Sequence, residues 1–311
     1  ATSDTFMYIS DASIACKLDS KKIFLELLYG DKIPVDEYAH EVGGNAANVA
    51  AGVASFGLKS AVFGTIGGDS RGIDILKLLR ERKVETKYLK PVKGCSTNIS
   101  VIITYKGERT ILSHHPKRGS NMGTIPKADW YYLSQTQNPK LYKTICFRAT
   151  KTKTKLAFKT GARMIKRDKK TLRNILEKTD LFFVNKEEAA EILEIKRGSG
   201  NAYIKKLLKT LYSMSRGDIV ITDGPRGAYA YDTKYFHFIK PYPSKRVEPT
   251  GAGDSFASGV LSAIIKGKTL QEALVWGSIN SAHVIREIGS QVGLLTERKI
   301  TALCKKNARY K

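Results

Sequence analysis

Short apolar runs bounded by glycine and polar residues alternate with helix-like stretches over most of the chain, a rhythm that predicts a parallel sheet with helices on both faces. Residues 45–56 read as a helix of small side chains closed by Gly57. Residues 61–66 read as a buried strand ending at Gly67-Gly68-Asp69, with another helix over 71–82. Residues 181–184 and 218–222 read as central strands, each giving way to polar or glycine-rich residues. In open α/β sheets ligands bind beyond such carboxyl ends. Two segments depart from the rhythm. Residues 22–44 carry a turn-like Gly30-Asp31, and residues 97–115 alternate around Lys106-Gly107 as a hairpin. Together they predict a small sheet apart from the main one, either a lid that excludes water from a site or a plain surface hairpin. Without an internal repeat or a low-complexity linker, the expectation is one domain over 1–311, with the small sheet inserted from about 15–44 and 92–116.

Composition adds bounds. The 311 residues are 42% hydrophobic and 26% charged, enough for a folded core. No apolar run approaches the roughly 20 residues of a membrane helix. Charge is uneven: 53 Lys+Arg stand against 29 Asp+Glu, a formal +24. Residues 140–178 hold 14 basic and 2 acidic residues, half of that excess. Such a segment is a solvated face or a docking surface for nucleic acid, an acidic partner or a phosphorylated ligand. Cys16, Cys95, Cys146 and Cys304 form no closely spaced pair, which argues against a zinc or redox motif. With no apolar signal segment at the start, the expected compartment is the cytoplasm or an organelle matrix.

Four clusters carry candidate chemistry. The first is Thr250-Gly251-Ala252-Gly253-Asp254 ahead of a helical stretch. Uncovered amides and the positive end of a helix dipole favour an anion there. Asp254, at the first turn, can accept a proton from a hydroxyl while those amides hold a phosphoryl group. The same turn also suits an ordinary capped helix. The second cluster is Gly43-Gly44-Asn45-Ala46-Ala47-Asn48, which suits a polyol or close helix packing. Third, Asn185 and Glu188 lie one turn apart after a strand, where they can face a hydrated Mg²⁺ or simply cap a helix. Fourth, Thr222-Asp223-Gly224-Pro225-Arg226-Gly227 is a glycine-bearing turn that can lie along phosphates or be a plain turn. No Gly-x-x-x-x-Gly-Lys-Ser/Thr loop and no protein-kinase catalytic loop occurs.

The order of these clusters, with Gly67-Gly68-Asp69, Gly72 and the hairpin between them, resembles the ribokinase-like (PfkB-type) carbohydrate and nucleoside kinases over nearly the whole chain. The resemblance implies a Rossmann-like, doubly wound, mainly parallel sheet flanked by helices, with a small β-sheet lid. It also implies ATP-dependent transfer of a γ-phosphoryl group to a sugar-type hydroxyl with Mg²⁺, and dimers formed through the lids. By position, Asp254 resembles the catalytic base and Gly251, Ala252 and Gly253 the anion hole. Asp4, Gly43, Gly44 and Asn48 resemble the polyol-binding set. Asn185 and Glu188 resemble the phosphate and Mg²⁺-water pair, Thr222, Gly224 and Gly227 nucleotide contacts, and Asn280 a residue beside the adenine.

Three features depart from that pattern. The family places a buried strand and a glycine before the position of Asp4, so the first central strand is expected to be missing or trimmed. Glu248-Pro249 stands where relatives commonly carry Asp-Thr, which bears on a monovalent-cation site. Phe158-Lys159-Thr160-Gly161 replaces an Asn-Pro-Gly type of turn inside the basic segment. The leading expectation is an ATP-dependent kinase of a sugar or polyol. The alternative is a catalytically reduced kinase-fold subunit of a nucleic-acid-containing assembly, docked through residues 140–178.

Overall fold

The computed structural model describes residues 1–9, 15–19, 22–106, 108–118, 123–136 and 138–306. The chain opens with β1 (Thr2–Tyr8), the pair β2 (Ala15–Asp19) and β3 (Lys22–Glu26), and β4 (Glu37–Gly43). There follow α1 (Asn45–Ser55), β5 (Ser60–Ala61), β6 (Gly64–Gly67), α2 (Ser70–Glu81), β7 (Val84–Glu85) and β8 (Leu89–Val92). A long hairpin, β9 (Ile99–Tyr105) and β10 (Glu108–His114), precedes β11 (Trp130–Leu133) and α3 (Pro139–Thr152). Its expected turn residue Gly107 lies outside the described residues. The body continues through β12 (Lys155–Lys159), α4 (Ala162–Arg167), α5 (Lys169–Leu176), β13 (Leu181–Asn185), α6 (Lys186–Ile192), α7 (Asn201–Met214) and β14 (Asp218–Thr222). It closes with β15 (Ala228–Tyr231), β16 (Phe236–Ile239), α8 (Ala252–Ile265), α9 (Leu270–Val284) and α10 (Glu297–Lys306).

The main sheet runs β11-β12-β13-β14-β15-β16, parallel from β11 to β14 and antiparallel beyond. Its strands read as continuous apolar runs because both faces are covered. Leu181, Phe183 and Val220 pack into a core shared with α1, α8, α9 and α10, while Phe182, Ile219 and Ile221 pack into another with α3, α5 and α7. Successive side chains on a strand point to opposite faces, which divides the two cores. A second sheet, ordered β10-β9-β1-β4, carries Asp4 on β1.

The parallel order is interrupted beside β11. The short pairs β5-β7 and β6-β8 bond only to each other, and a cleft of 1830 Å³ lies between residues 60–65 and β11. No described strand fills it. Asp4 instead reaches the centre of the molecule from the smaller sheet, through pairing of β1 with β4 and β9.

The helix that presents Asp254 is fixed by close approach. A Cβ at Gly259 of α8 would lie 2.9 Å from the Gly277 Cα of α9, and one at Gly52 of α1 would lie 2.2 Å from Ser258 Oγ. Gly259→Leu is therefore expected to destabilise the fold by about 1–3 kcal/mol through overpacking, read as a lowered urea midpoint. An unchanged midpoint would show that α8 and α9 do not need this contact.

Candidate active site

Three neighbouring parallel strands end together. Lys159, Asn185 and Thr222, the last residues of β12, β13 and β14, line one cavity of 240 Å³ with Thr160, Glu188, Asn45 and Gly253. The amino end of α8 approaches from the other side. Its cap, Gly251, has φ +83, and a Cβ there would lie 2.6 Å from Ser290 Cβ, so only glycine suits the turn. The Asp254 amide donates to Gly251 O at 3.0 Å and the Ala252 amide to Pro249 O at 3.2 Å. The amides of Gly251 and Gly253 donate to no hydrogen bond among the described residues. Of the three amides expected in the anion hole, that of Ala252 is thus already committed.

Asp254 is buried, and both its oxygens are bonded. Asn48 Nδ2 donates to Oδ2 at 2.9 Å, and Lys159 Nζ donates to Oδ1 at 2.6 Å. Asn48 is itself held, since Gln291 Nε2 donates to its Oδ1 at 2.9 Å and to Val42 O at 3.1 Å. Asn48, expected as a polyol contact, is therefore engaged in orienting Asp254. A Cβ at Gly253 would lie 3.0 Å from Lys159 Nζ, so the bare glycine admits the ammonium.

Asp4 contrasts with Asp254. Its Oδ1 is buried without a hydrogen-bond partner, and a Cβ at Gly43 would lie 1.7 Å from its Oδ2. Gly43 thus makes room for this carboxylate, while Gly44 caps α1 with φ +94. Burial pushes the Asp4 carboxyl from 3.8 up to about 6; the Ser100 hydroxyl pulls it down and the charge of Asp254 adds to the rise. Tyr132 on β11 feels the same charge. Burial and Asp254 raise its phenol well above the ordinary value, and its hydroxyl has no partner.

Asn185 and Glu188 form a capping box. The Glu188 amide donates to Asn185 Oδ1 at 2.7 Å, and the Asn185 amide to Glu188 Oε2 at 3.2 Å. Burial raises the Glu188 carboxyl, against the lowering effects of the Asn185 amide and the Lys159 charge. The turn after β14 is tied down by Asp223. Lys186 Nζ lies 2.9 Å and Arg226 Nη2 2.6 Å from Asp223 Oδ1. Against burial, which would raise it, these two cations hold the Asp223 carboxyl below its ordinary range. Gly224 is exposed, and Gly227 is bare because a Cβ would lie 2.2 Å from Ile239 O.

Asn280 is fully buried between α8 and α9, its Nδ2 donating to Ser255 O at 2.8 Å and its Oδ1 accepting from the Leu295 amide at 3.1 Å. In these contacts it braces the helix pair. Glu248 is fully buried as well. Thr104 Oγ1 donates to its Oε2 at 2.9 Å, and the amide and hydroxyl of Thr250 donate to Oε1 at 2.9 and 2.6 Å. Through these bonds it ties β9 to the turn before α8.

The sequence reading passed over Gln291 and Tyr132, and it noted Lys159 and Glu248 only as departures from the family pattern, without the contacts they make here. Lys159 alone carried a usable signal, ending an apolar run in the manner of Asn185 and Thr222. Gln291 and Glu248 act through partners far away in the chain.

The model of the pfkB family carbohydrate kinases matches residues 4–297. The ATP-dependent 6-phosphofructokinase of Thermoanaerobacterium thermosaccharolyticum is 25% identical over 297 residues, covering 86% of this chain and 85% of that protein. A 5-dehydro-2-deoxygluconokinase of Bacillus licheniformis is 26% identical over 289 residues, covering 86% and 87%. In fold, the nucleoside kinase of Burkholderia thailandensis solved with inosine superposes with a TM-score of 0.80 at 18% identity, covering 100% of this chain and 97% of that one.

Asp4 yields a pH prediction. Because the folded protein binds the Asp4 proton more tightly than the unfolded chain, this group's contribution to stability is full below pH 3.8 and is lost as pH rises through about 6. Asp4→Asn is expected to gain on the wild type by about 2 kcal/mol between pH 4 and pH 7. Urea unfolding at both pH values measures this, and a gap that does not change with pH would refute it.

Proposed function

Since the chain belongs to the pfkB family of carbohydrate kinases, we propose that it transfers the γ-phosphoryl group of ATP to a hydroxyl of a sugar or related polyol, with Asp254 as the general base. Family membership makes it an ATP-dependent phosphotransferase acting on a sugar or nucleoside. The finer reading rests on one observation: Asp254 stands in the first turn of α8, beside the open amides of Gly251 and Gly253 and near the unpartnered oxygen of Asp4.

Asp4 accepts hydrogen bonds from acceptor hydroxyls, which relieve a buried oxygen that otherwise has no donor. Gly43 leaves room for that carboxylate, and Gly44 turns the chain from β4 into α1 beside it. The reacting hydroxyl gives its proton to Asp254 as its oxygen bonds to phosphorus, and the Gly251 and Gly253 amides hold the developing charge. Asn185, Thr222, Gly224 and Gly227 lie along the nucleotide.

For Mg²⁺ the donor set fits a hydrated ion. Glu188 offers one carboxylate in the cavity, and no group of three acidic, histidine or cysteine side chains suited to a metal exists among the described residues. An ion bound mainly by nucleotide phosphates and water needs no more than that. When bound, it neutralises phosphate charge.

The relatives named above are kinases, and the nucleic-acid-docking alternative has no counterpart among them. Tyr38, Ile111 and Leu112 on the smaller sheet are exposed. They favour pairing of two copies through that sheet, for which sedimentation of Leu112→Asp as a monomer beside a dimeric wild type is the expected result; a monomeric wild type would overturn it.

The central test is turnover of ATP with Mg²⁺ across a panel of sugars, polyols and nucleosides. Asp254→Asn is expected to lower kcat by about 10²–10⁴, the range for a positioned base, with affinity for ADP little changed. Near-normal turnover in that variant would remove Asp254 from the mechanism.

A further inference from the structure

We propose that Lys159 is a further catalytic residue: its ammonium pairs with Asp254 while the site is empty and moves onto the transferring phosphoryl group when a nucleoside triphosphate binds, freeing Asp254 Oδ1 for the acceptor hydroxyl. The inference rests on Asp254 being the base and adds what must happen before that base can act.

A proton arriving on Asp254 Oδ1 would cancel the charge with which the ammonium at 2.6 Å is paired, so the ion pair opposes the transfer for as long as it lasts. Of the two donors on Asp254, Asn48 cannot leave. It is buried on α1, and its own carbonyl oxygen is fixed by Gln291, which is buried in turn and anchored on Val42 O. Lys159 can leave. Its ammonium ends a flexible four-carbon stem, its side chain is 21% exposed, and it lines the cavity.

The destination is defined by the same cavity. Its wall includes Asn185, Glu188, Thr222 and Gly253. The open Gly253 amide and the ammonium therefore face one volume, from which the amino end of α8 also attracts negative charge. Two donors of positive potential converge where a phosphoryl group would sit, with the Glu188 carboxylate in the same wall, while Asp254 lines neither cavity and meets this one through its bond to Lys159. A single ammonium serves both states, as counter-ion to Asp254 before binding and to the phosphoryl oxygens after it.

In the reacting state the acceptor oxygen–phosphorus bond forms and the bond from phosphorus to the oxygen of the leaving diphosphate breaks. The acceptor's proton goes to Asp254 Oδ1, and Lys159 keeps its own proton throughout. Charge on the phosphoryl oxygens is balanced by a cation already in the site, with no new charge to import. The arrangement also couples the substrates: a triphosphate that draws Lys159 away opens the place where the acceptor hydroxyl must bind.

Calorimetric titration with the β,γ-imido analogue of ATP and with ADP, both with Mg²⁺, tests this. Lys159→Met is expected to lose about 10- to 100-fold in affinity for the triphosphate analogue relative to ADP, the range for one charge-assisted hydrogen bond, and to lose kcat. Lys159→Arg, which keeps the charge, is expected to recover part of that preference. A triphosphate-to-diphosphate preference unchanged in Lys159→Met overturns the proposal. Crystals of the wild type soaked with the analogue provide a readout independent of variant folding: Nζ on γ-phosphoryl oxygens supports the proposal, and Nζ still on Asp254 overturns it. Asp254→Asn, assayed in parallel, separates the two ideas. An active Asp254→Asn defeats the base assignment, whereas an inactive Asp254→Asn beside an unaffected Lys159→Met defeats the role of Lys159 alone.

Discussion

The arrangement depends on one buried carboxylate held between an amide and an ammonium. Asp254 is nearly inaccessible, and a charge so placed is tolerated only where its oxygens are paired. Asn48 and Lys159 supply that pairing from opposite directions, one from the first helix and the other from the end of β12. Each partner brings a piece of the fold with it. Asn48 requires α1 to lie against α8, which the bare Gly52 permits, and Gln291 to reach back to Val42 at the end of β4. Lys159 requires β12 to end level with β13 and β14. The carboxylate is thus a point at which both sheets and the main helix pair are tied together.

Asp4 and Asp254 show how environment sorts two like groups. Each feels the other's charge, yet only Asp254 has a cation within bonding distance. Asp4 carries the mismatch as a raised pKa and an unpartnered oxygen. An orphaned acceptor in a buried site is costly unless a ligand completes it. The protein therefore holds one carboxylate fully bonded and the other incomplete, an asymmetry suited to a base that must be oriented and a binding group that must be filled. Gly43 enforces the second state, since any side chain there would occupy the position of Asp4 Oδ2.

Local patterns made much of this legible. The apolar runs ending at Asn185 and Thr222 and the glycine turn before Asp254 are contiguous signals, and the structure brings all three to the same end of the sheet. What stayed hidden depends on contacts distant in sequence. Gln291 meets Asn48 across 243 positions, and Glu248 meets Thr104 across 144. Neither spacing leaves a trace in periodicity. Asn280 drew notice only through the resemblance, and its bonds to backbone groups of α8 and to the Leu295 amide are likewise contacts that no local pattern announces. The placing of Asp4 is another such case, since its carboxylate comes from the smaller sheet through pairing of β1 with the distant β4 and β9.

The basic segment illustrates how composition and site chemistry diverge. Lys140, Lys143, Lys151, Lys153, Lys166, Lys169 and Lys170 are exposed on and around α3, α4 and α5. Exposed charges of this kind are screened by solvent and salt over about 10 Å. Lys159 belongs to the same run, but β12 carries it inward, against Gly253 and away from bulk water. Near low-dielectric walls a single ammonium exerts more influence on a phosphoryl group than many solvated ones. The charge that matters to the chemistry is therefore the one that the strand removes from the basic surface, and its partner in the empty site is the carboxylate that must later receive a proton.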